Sequence, residues 1–416
     1  MKKKTCLSFL FFFLFNITNI YASGFAVFSQ GASSFGKAGA SIAYSDSPSS
    51  VFYNPALISS LDGTQIETGT TVINLEFEHK SDLTGKTDST DNSIFFPSTL
   101  YATYNFNKKL SFGFGAFSPF GLATQWDKTW EGRYLATNSE LTSLCANPVV
   151  SWQATPKLAI AGGVNILYID ATLENSINLS PMGLGDARQK FKGDDYGYGF
   201  NLGLLYQFTD QIQAGMSFRS GYSMDLDGRL SFDLPMGSPD LLAGALPDTG
   251  SRAAIDLPEK FFASIAFQAT PKLVVEAGIL REGWSCYDKI TTRSEKPVNG
   301  VTAEIIDKDW NDTMTYNLGL EYCFNDRLTL RTGYLFRENA VPDHTFDPSL
   351  PDSDASLYAF GGDFAWNQYT LSMAYVYERQ NDRNKDTALG FIKGSSANGE
   401  YSSDIHFVAV SLKIKL

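Results

Sequence analysis

Apolar and polar residues alternate along most of this chain with a period of two. In the stretch from Tyr196 to Phe208, Tyr196, Tyr198, Phe200, Leu202, Leu204, Tyr206 and Phe208 share one face, while Gly197, Gly199, Asn201, Gly203 and Gln207 share the other. Successive side chains of an extended backbone point to opposite sides, so this period marks a strand. The segment Met314 to Phe324 repeats it, with Thr315, Asn317, Gly319 and Glu321 opposing Met314, Tyr316, Leu318, Leu320, Tyr322 and Phe324. The pattern returns in 211–218, 328–336, 369–377 and 408–416. A soluble sandwich also alternates, but its strands are usually about five or six residues long. Many segments here are longer, and their apolar face carries aromatics near both ends, as the lipid-facing band of an outer-membrane barrel does.

The spacing predicts strands near 64–78, 93–106, 109–118, 139–155, 157–172, 190–208, 211–231, 252–269, 271–288, 308–324, 327–338, 355–365, 368–379 and 403–415. Tight turns at Asn107-Lys108, Thr155-Pro156, Thr209-Asp210, Thr270-Pro271, Asn325-Asp326 and Trp366-Asn367 alternate with longer polar loops such as 79–92, 119–138, 232–251, 291–307, 339–354 and 380–402. Short turns belong to the periplasmic rim and long loops to the outside. No sheet edge can be left in lipid, so the fold expected is all-β, a closed antiparallel transmembrane β-barrel of about fourteen strands.

The amino terminus has a different character. Lys2, Lys3 and Lys4 precede an apolar run from Leu7 to Phe15, with Ala22 at a cleavage position. This is a signal peptide over residues 1–22, with the mature chain starting at Ser23. Its apolar core is too short to span a bilayer, and nothing downstream offers the roughly twenty apolar residues a membrane helix needs. Removing 1–22 takes the formal charge from −12 to −15, a poor balance for nucleic acid. Cys145, Cys286 and Cys323 would remain, widely spaced and odd in number, which allows one bridge but no framework and no paired metal ligands. The 32 Phe and 20 Tyr coexist with a mean hydropathy of only −0.14, because the rings are interleaved with polar residues.

Residues 23–62 do not alternate. They are rich in small residues, with Gly24, Gly31, Gly36, Gly39 and Pro55 marking bends, yet they carry Phe25, Phe28, Phe35, Tyr44, Val51, Phe52, Tyr53, Leu57 and Ile58. A disordered tail would leave these in water. A plug inside the barrel would bury them, and a fourteen-strand lumen is too wide to be filled by its own side chains. The expected division is therefore signal peptide 1–22, hatch 23–62 and barrel 63–416.

The hatch segment resembles that of the outer-membrane long-chain fatty-acid transporter family, the FadL/TodX type, through Gly24-Phe25, the spacing of Gly31, Gly36 and Gly39, Asp46, and Asn54-Pro55-Ala56. The resemblance extends to SPFGLATQWDKTWEGRYLA (118–136), DLPEKFFASIAFQATPKL (256–273), GWSCY (283–287), DWNDTMTYNLGLEY (309–322), LTLRTGYLFRENAVPD (328–343) and LPDSD (350–354). One departure is the terminal Leu416, where such barrels typically end in Phe. The resemblance implies passive uptake of long-chain fatty acids or aromatic hydrocarbons. A ligand would land on an outer-loop groove, pass to a pocket above the hatch, and leave sideways through a wall gap at a kink in the third strand, facing the Asn54-Pro55-Ala56 turn. Pro119 and Gly121 mark that kink in this chain, and a proline that cannot donate to a ladder supports it independently.

Candidate ligand contacts are Phe25, Phe120, Leu122, Trp126 and Trp130, with the alternative that the loop aromatics simply pack the loop. Alternation also points Arg219, Arg331 and Arg337 inward. Arg331 and Arg337 could hold a carboxylate, or pair with inward acids such as Glu321 and Glu378. No cofactor or metal is implied. The expected partners are hydrophobic small molecules, membrane lipid and the outer-membrane insertion machinery, and the expected state is a monomer in the outer membrane of a Gram-negative bacterium. A general diffusion porin for small polar solutes is the alternative. A barrel enzyme is a weaker one: His79, His344 and His406 are the only histidines, with no G-x-S-x-G, H-E-x-x-H or P-loop to accompany them.

Overall fold

A computed structural model describes residues 24–91 and 93–416; the expected signal peptide and Ser23 lie outside the described residues. From Thr64 onward the chain forms a closed antiparallel barrel of 14 strands. Strands 1 to 6 are Thr64–Leu75, Ser98–Asn107, Leu110–Phe117, Asn138–Thr155, Leu158–Ile177 and Ala187–Gln207. Strand 7 joins Ile212–Arg219 to Tyr222–Asp233, and strand 8 joins Thr249–Leu257 to Lys260–Thr270. Strand 9 is Leu273–Glu282 extended by Lys289–Val298, and strand 10 is Val301–Asp307 followed by Thr313–Cys323. Strands 11 to 14 are Leu328–Arg337, Ala355–Trp366, Tyr369–Gln380 and Gly399–Lys415. Strand 1 pairs with strand 14 from Gln65↔Lys415 to Asn74↔His406, which closes the cylinder. Among the described residues no helix is long and apolar enough to cross a membrane.

The period-two pattern has the expected physical outcome. Tyr196, Tyr198, Phe200, Leu202, Leu204, Tyr206 and Phe208 are all exposed on the outside of strand 6, while Asn201 is buried in the lumen. Lipid solvates the first set. Where the residues stop alternating, the strands stop spanning. Trp284–Cys286 and residues 308–312 are irregular inserts in strands 9 and 10 that put Trp284, Tyr287 and Trp310 into the interior.

One loop assignment is corrected. Residues 291–307 form a hairpin, with Lys289–Val298 paired to Val301–Asp307 around Asn299 and Gly300, both at positive φ. An Asn-Gly turn is a strong hairpin signal, and the strands simply continue above the membrane, where both faces are wet and alternation is no longer required. The loops 79–92 and 119–138 likewise contain short strands, Phe77–Ser81, Thr87–Ser89 and Gly121–Gln125. All three described cysteines are free, so the single bridge left open by the sequence is not formed.

Residues 24–62 lie against the inner wall, with two short helices, Ala32–Phe35 and Ser50–Tyr53, and a 3-10 turn, Pro55–Ser60. Gly31 and Gly39 adopt φ of 141° and 75°, conformations that a side chain would strain, and so let the chain fold back on itself inside the cylinder. Gly36 packs directly on Gly361 of strand 12, where a Cβ would come within 3.1 Å of backbone.

Candidate functional site

Strands 2 and 3 pair from the periplasmic turn only as far as Leu100↔Ala116. Contact resumes far above, at the isolated bridge Thr90↔Trp126 and the hydrogen bond from Asp91 N to Gln125 O at 2.8 Å. Between these levels the described residues of the wall form no ladder. Ser118-Pro119-Phe120 interrupts strand 3, and its pairing with strand 4 slips by one residue, from Phe117↔Cys145 to Gly121↔Thr142. Pro119 lacks an N–H, so a continuous ladder cannot pass through it.

The vacated edge is taken by the N-terminal segment. Val27 N donates to Pro119 O at 3.1 Å and Gly121 N donates to Phe25 O at 3.0 Å, flanking an antiparallel bridge between Ala26 and Phe120. Residues 25–27 thus stand in for the missing strand and satisfy groups that lipid could not. Behind them, Phe25 sits among edge-on rings: Trp284 at 4.9 Å between centroids, Tyr287 at 5.8 Å, Trp310 at 5.8 Å and Phe120 at 6.0 Å. The end of the segment is tied to an outer loop, where Gly24 N donates to Asp352 Oδ2 at 2.7 Å.

A cavity of about 130 Å³ opens just inside this break. Phe25, Leu122, Ile73, Leu75 and Phe407 give it greasy walls, and Arg337, Asp352 and Glu378 form its polar end. Arg337 is held by Glu378 at 2.5 Å and approaches Asp352 at 3.6 Å. Burial pushes the Asp352 carboxyl up to about 6, against the opposing pull of Arg337 and of the Gly24 N–H.

The sequence-predicted residues are only partly brought together. Phe25, Leu122, Gly121 and Arg337 meet at the cavity, and Phe120 packs edge-on against Phe25 beside it. Arg331 does not reach it, being engaged by Glu321 at 2.8 Å and Asp363 at 2.5 Å. Trp126 and Trp130 are 2% and 1% exposed and stack at 4.3 Å, with indole N–H groups donating to Pro348 O and Ala136 O. They form the packed centre of the outer loops, and neither lines the cavity.

Asn54-Pro55-Ala56 is also placed differently from expectation. It does not face the break at Pro119. It lies near the periplasmic ends of strands 4 and 6, where Asn54 Nδ2 donates to Leu204 O at 3.0 Å and to Ile42 O at 2.7 Å, and Ser151 Oγ donates to Ala56 O at 3.2 Å. The reason is steric. Gly203 leaves the space the turn occupies, since a Cβ there would come within 2.4 Å of Asn54 Oδ1.

Trp284, Tyr287 and Trp310, in the GWSCY and DWNDT stretches, are site residues that the sequence pattern does not assign a role. Their signal was the interruption of alternation at Gly283 and Asp309.

A family model described as outer membrane protein transport protein (OMPP1/FadL/TodX) matches residues 14–415. A 47 kDa outer membrane protein of Pasteurella multocida is 25% identical over 398 residues, covering 91% of this chain and 92% of the relative. A FadL homologue of Pseudomonas aeruginosa superposes with a TM-score of 0.83 at 18% identity, over 94% of this chain and 100% of that structure. The P. putida toluene transporter TodX superposes with a TM-score of 0.74 at 19% identity, over 93% and 98%. At these identities the two structures speak for the fold alone.

Proposed function

The chain belongs to the OMPP1/FadL/TodX family of outer membrane transport proteins of Gram-negative bacteria, and from that premise we propose that it admits hydrophobic small molecules passively and releases them sideways into the bilayer. Residues 1–22 would direct export, 23–62 would act as the hatch and 63–416 as the barrel. The ligand is captured among the outer loops and enters the cavity behind Phe25. When residues 24–29 withdraw, it leaves through the interval between strands 2 and 3. A sideways route has a clear energetic logic. Each methylene kept out of water is worth about 0.8 kcal/mol, so a path from greasy cavity to lipid avoids a cost that a water-filled pore would impose.

The observation that carries this reading is the unpaired interval of wall, filled by Phe25–Val27 and backed by an apolar cavity. Long-chain fatty acids and aromatic hydrocarbons both suit its lining. The present volume is close to that of an engineered protein cavity of about 150 Å³ that binds benzene, so one ring fits as it stands. A long chain requires the 24–29 segment to move. A carboxylate would also have to compete with Glu378 and Asp352 for Arg337. A general porin would need a lumen free of residues 24–62.

The test is a reversible lock. Ala26 and Phe120 form a non-hydrogen-bonded antiparallel pair, in which Cα atoms lie about 4.5 Å apart, a separation a disulfide can bridge. In a background with Cys145, Cys286 and Cys323 replaced by Ser, Ala26→Cys with Phe120→Cys should block uptake of both labelled oleate and toluene when oxidised, and reduction should restore it. Uptake that proceeds equally well through the locked protein would refute the lateral route.

A further inference from the structure

Among the described residues, two buried ionisable groups of the barrel wall that make no ion pair take hydrogen bonds from or give them to the hatch backbone. Glu276, on strand 9, is 1% exposed and accepts from three successive hatch N–H groups, Ile42 and Ala43 at 2.7 Å and Tyr44 at 3.1 Å, and from Ser264 Oγ at 2.6 Å. Arg219, on strand 7, is 6% exposed and donates to Val51 O at 2.9 Å and to Phe52 O at 2.9 and 3.1 Å. Its other donors go to Asn165 and Asn147, and its guanidinium lies 4.7 Å from the Phe52 ring centroid. Among the described residues neither group makes an ion pair.

The barrel strands are already held by their own ladders, and most of the bonds to these two side chains come from the hatch rather than from Ser264, Asn165 and Asn147 on other strands. A lone charge facing a wet lumen would be hydrated without help. Both groups are dry because the hatch covers them, and the hatch supplies the hydrogen bonds that replace water. Charge-assisted bonds of this kind are about twice as strong as neutral ones. Glu276 takes the N–H groups at one bend of the hatch, Lys413 donates to Asp46 O at 3.0 Å, and Arg219 takes the carbonyls at the end of its second helix, so residues 42–52 are gripped through their backbone at three points, two of them by groups without an ion pair. Residues 24–30 are held differently, by the bridge at Phe120, the contact of Gly24 with Asp352, and neutral bonds joining Phe28 and Gln30 to Tyr53, Tyr101 and Ser118.

We propose that Arg219 and Glu276 are positioning residues that clamp the 42–56 half of the hatch in place and so keep the lumen closed to ions, while the 24–30 half is left able to move. The test is ion conductance of the full chain in planar bilayers. Arg219→Gln with Glu276→Gln should raise mean conductance at least tenfold over the unmodified protein, with heat-modifiable mobility on gels showing an intact barrel. Arg219→Lys, which keeps the charge but loses the fork of donors, should fall between. Gly215→Ala approaches the same clamp without touching a charge, because its Cβ would come within 2.0 Å of Ile42 O; it should also raise conductance. Hydrogen exchange on the unmodified protein gives a second reading, with amides of 42–56 expected to be at least tenfold better protected than those of 25–30.

A folded double variant as silent as the parent overturns the clamp, and so does equal exchange in the two halves. The uptake arm alone rests on the lateral-exit reading: oleate uptake should persist in the conducting variant. Its loss alongside raised conductance would count against lateral exit and leave the clamp standing.

Discussion

Replacing Asn54 by alanine should loosen the hatch without unfolding the barrel. The Asn54 side chain is fully buried and makes three hydrogen bonds, to Ile42 O at 2.7 Å, to Leu204 O at 3.0 Å, and from Ala56 N at 3.1 Å. Each intramolecular bond contributes about 1 kcal/mol net, and each buried partner left alone costs about 1–3 kcal/mol. Water can enter the space left by the missing amide and recover part of that loss, so about 3 kcal/mol is expected for the set. At about 1.4 kcal/mol per factor of ten, this corresponds to roughly a hundredfold loss of hydrogen-exchange protection in residues 54–60. Strand amides, such as those joining strands 1 and 14, should keep theirs. Asn54→Asp tests the geometry. It retains the acceptor for Ala56 N but sets a carboxylate against two carbonyl oxygens, so it should do no better than alanine. Hatch protection within threefold of the parent in Asn54→Ala would refute the claim that this side chain pins the turn to strand 6.

Three further outcomes are expected. Leu202 is exposed on the lipid face about five residues from the inner end of its strand, so Leu202→Arg should lower the stability of the vesicle-inserted protein by about 2–4 kcal/mol in urea titration, and an unchanged midpoint would contradict the assigned outer face. Burial raises Asp352 from the ordinary carboxyl value near 3.8 to about 6, so the loop gains stability from the protonated form, fully present below about pH 4 and lost as pH rises through about 6. That is on the order of 3 kcal/mol; intrinsic-rate-corrected exchange in residues 343–354 should therefore be slower at pH 5 than at pH 7.5, and Asp352→Asn should remove the Asp352 part of this change and lower the midpoint of the part due to Asp354, which burial, Asp352 and Glu338 together push up to about 7. Trp130→Ala should open the outer loops at a local cost of about 3–5 kcal/mol, read as faster proteolysis within 119–138, and equal cleavage rates would argue against a packed loop core.

The strands were legible because every one of them must solve the same problem twice over, presenting rings to lipid and small or polar groups to the lumen. That constraint is local and repeats every second residue, so Tyr198 and Asn201 announce their faces without reference to any distant part of the chain. The hairpin at 289–307 escaped the reading for the same reason in reverse: above the membrane both faces meet water and the alternation lapses. The break at Pro119 was also visible, because a missing N–H is a local fact.

The partners of these features were not legible. Arg331 and Arg337 read as inward cations, but whether they faced ligand or acid depended on Glu321 and Asp363 on the neighbouring strands and Glu378 two strands away, all at matching heights. The pairing of Ala26 with Phe120 joins residues almost a hundred positions apart, and the seat of Asn54 depends on the absence of a side chain at Gly203. So the amino-acid order determined a barrel, its inside and outside, its plug-like leading segment and the place where one strand must break. Only the tertiary structure decided what fills the break and what grips the plug, because those contacts are set by strand register and by the height of each residue in the cylinder, quantities that no local period encodes.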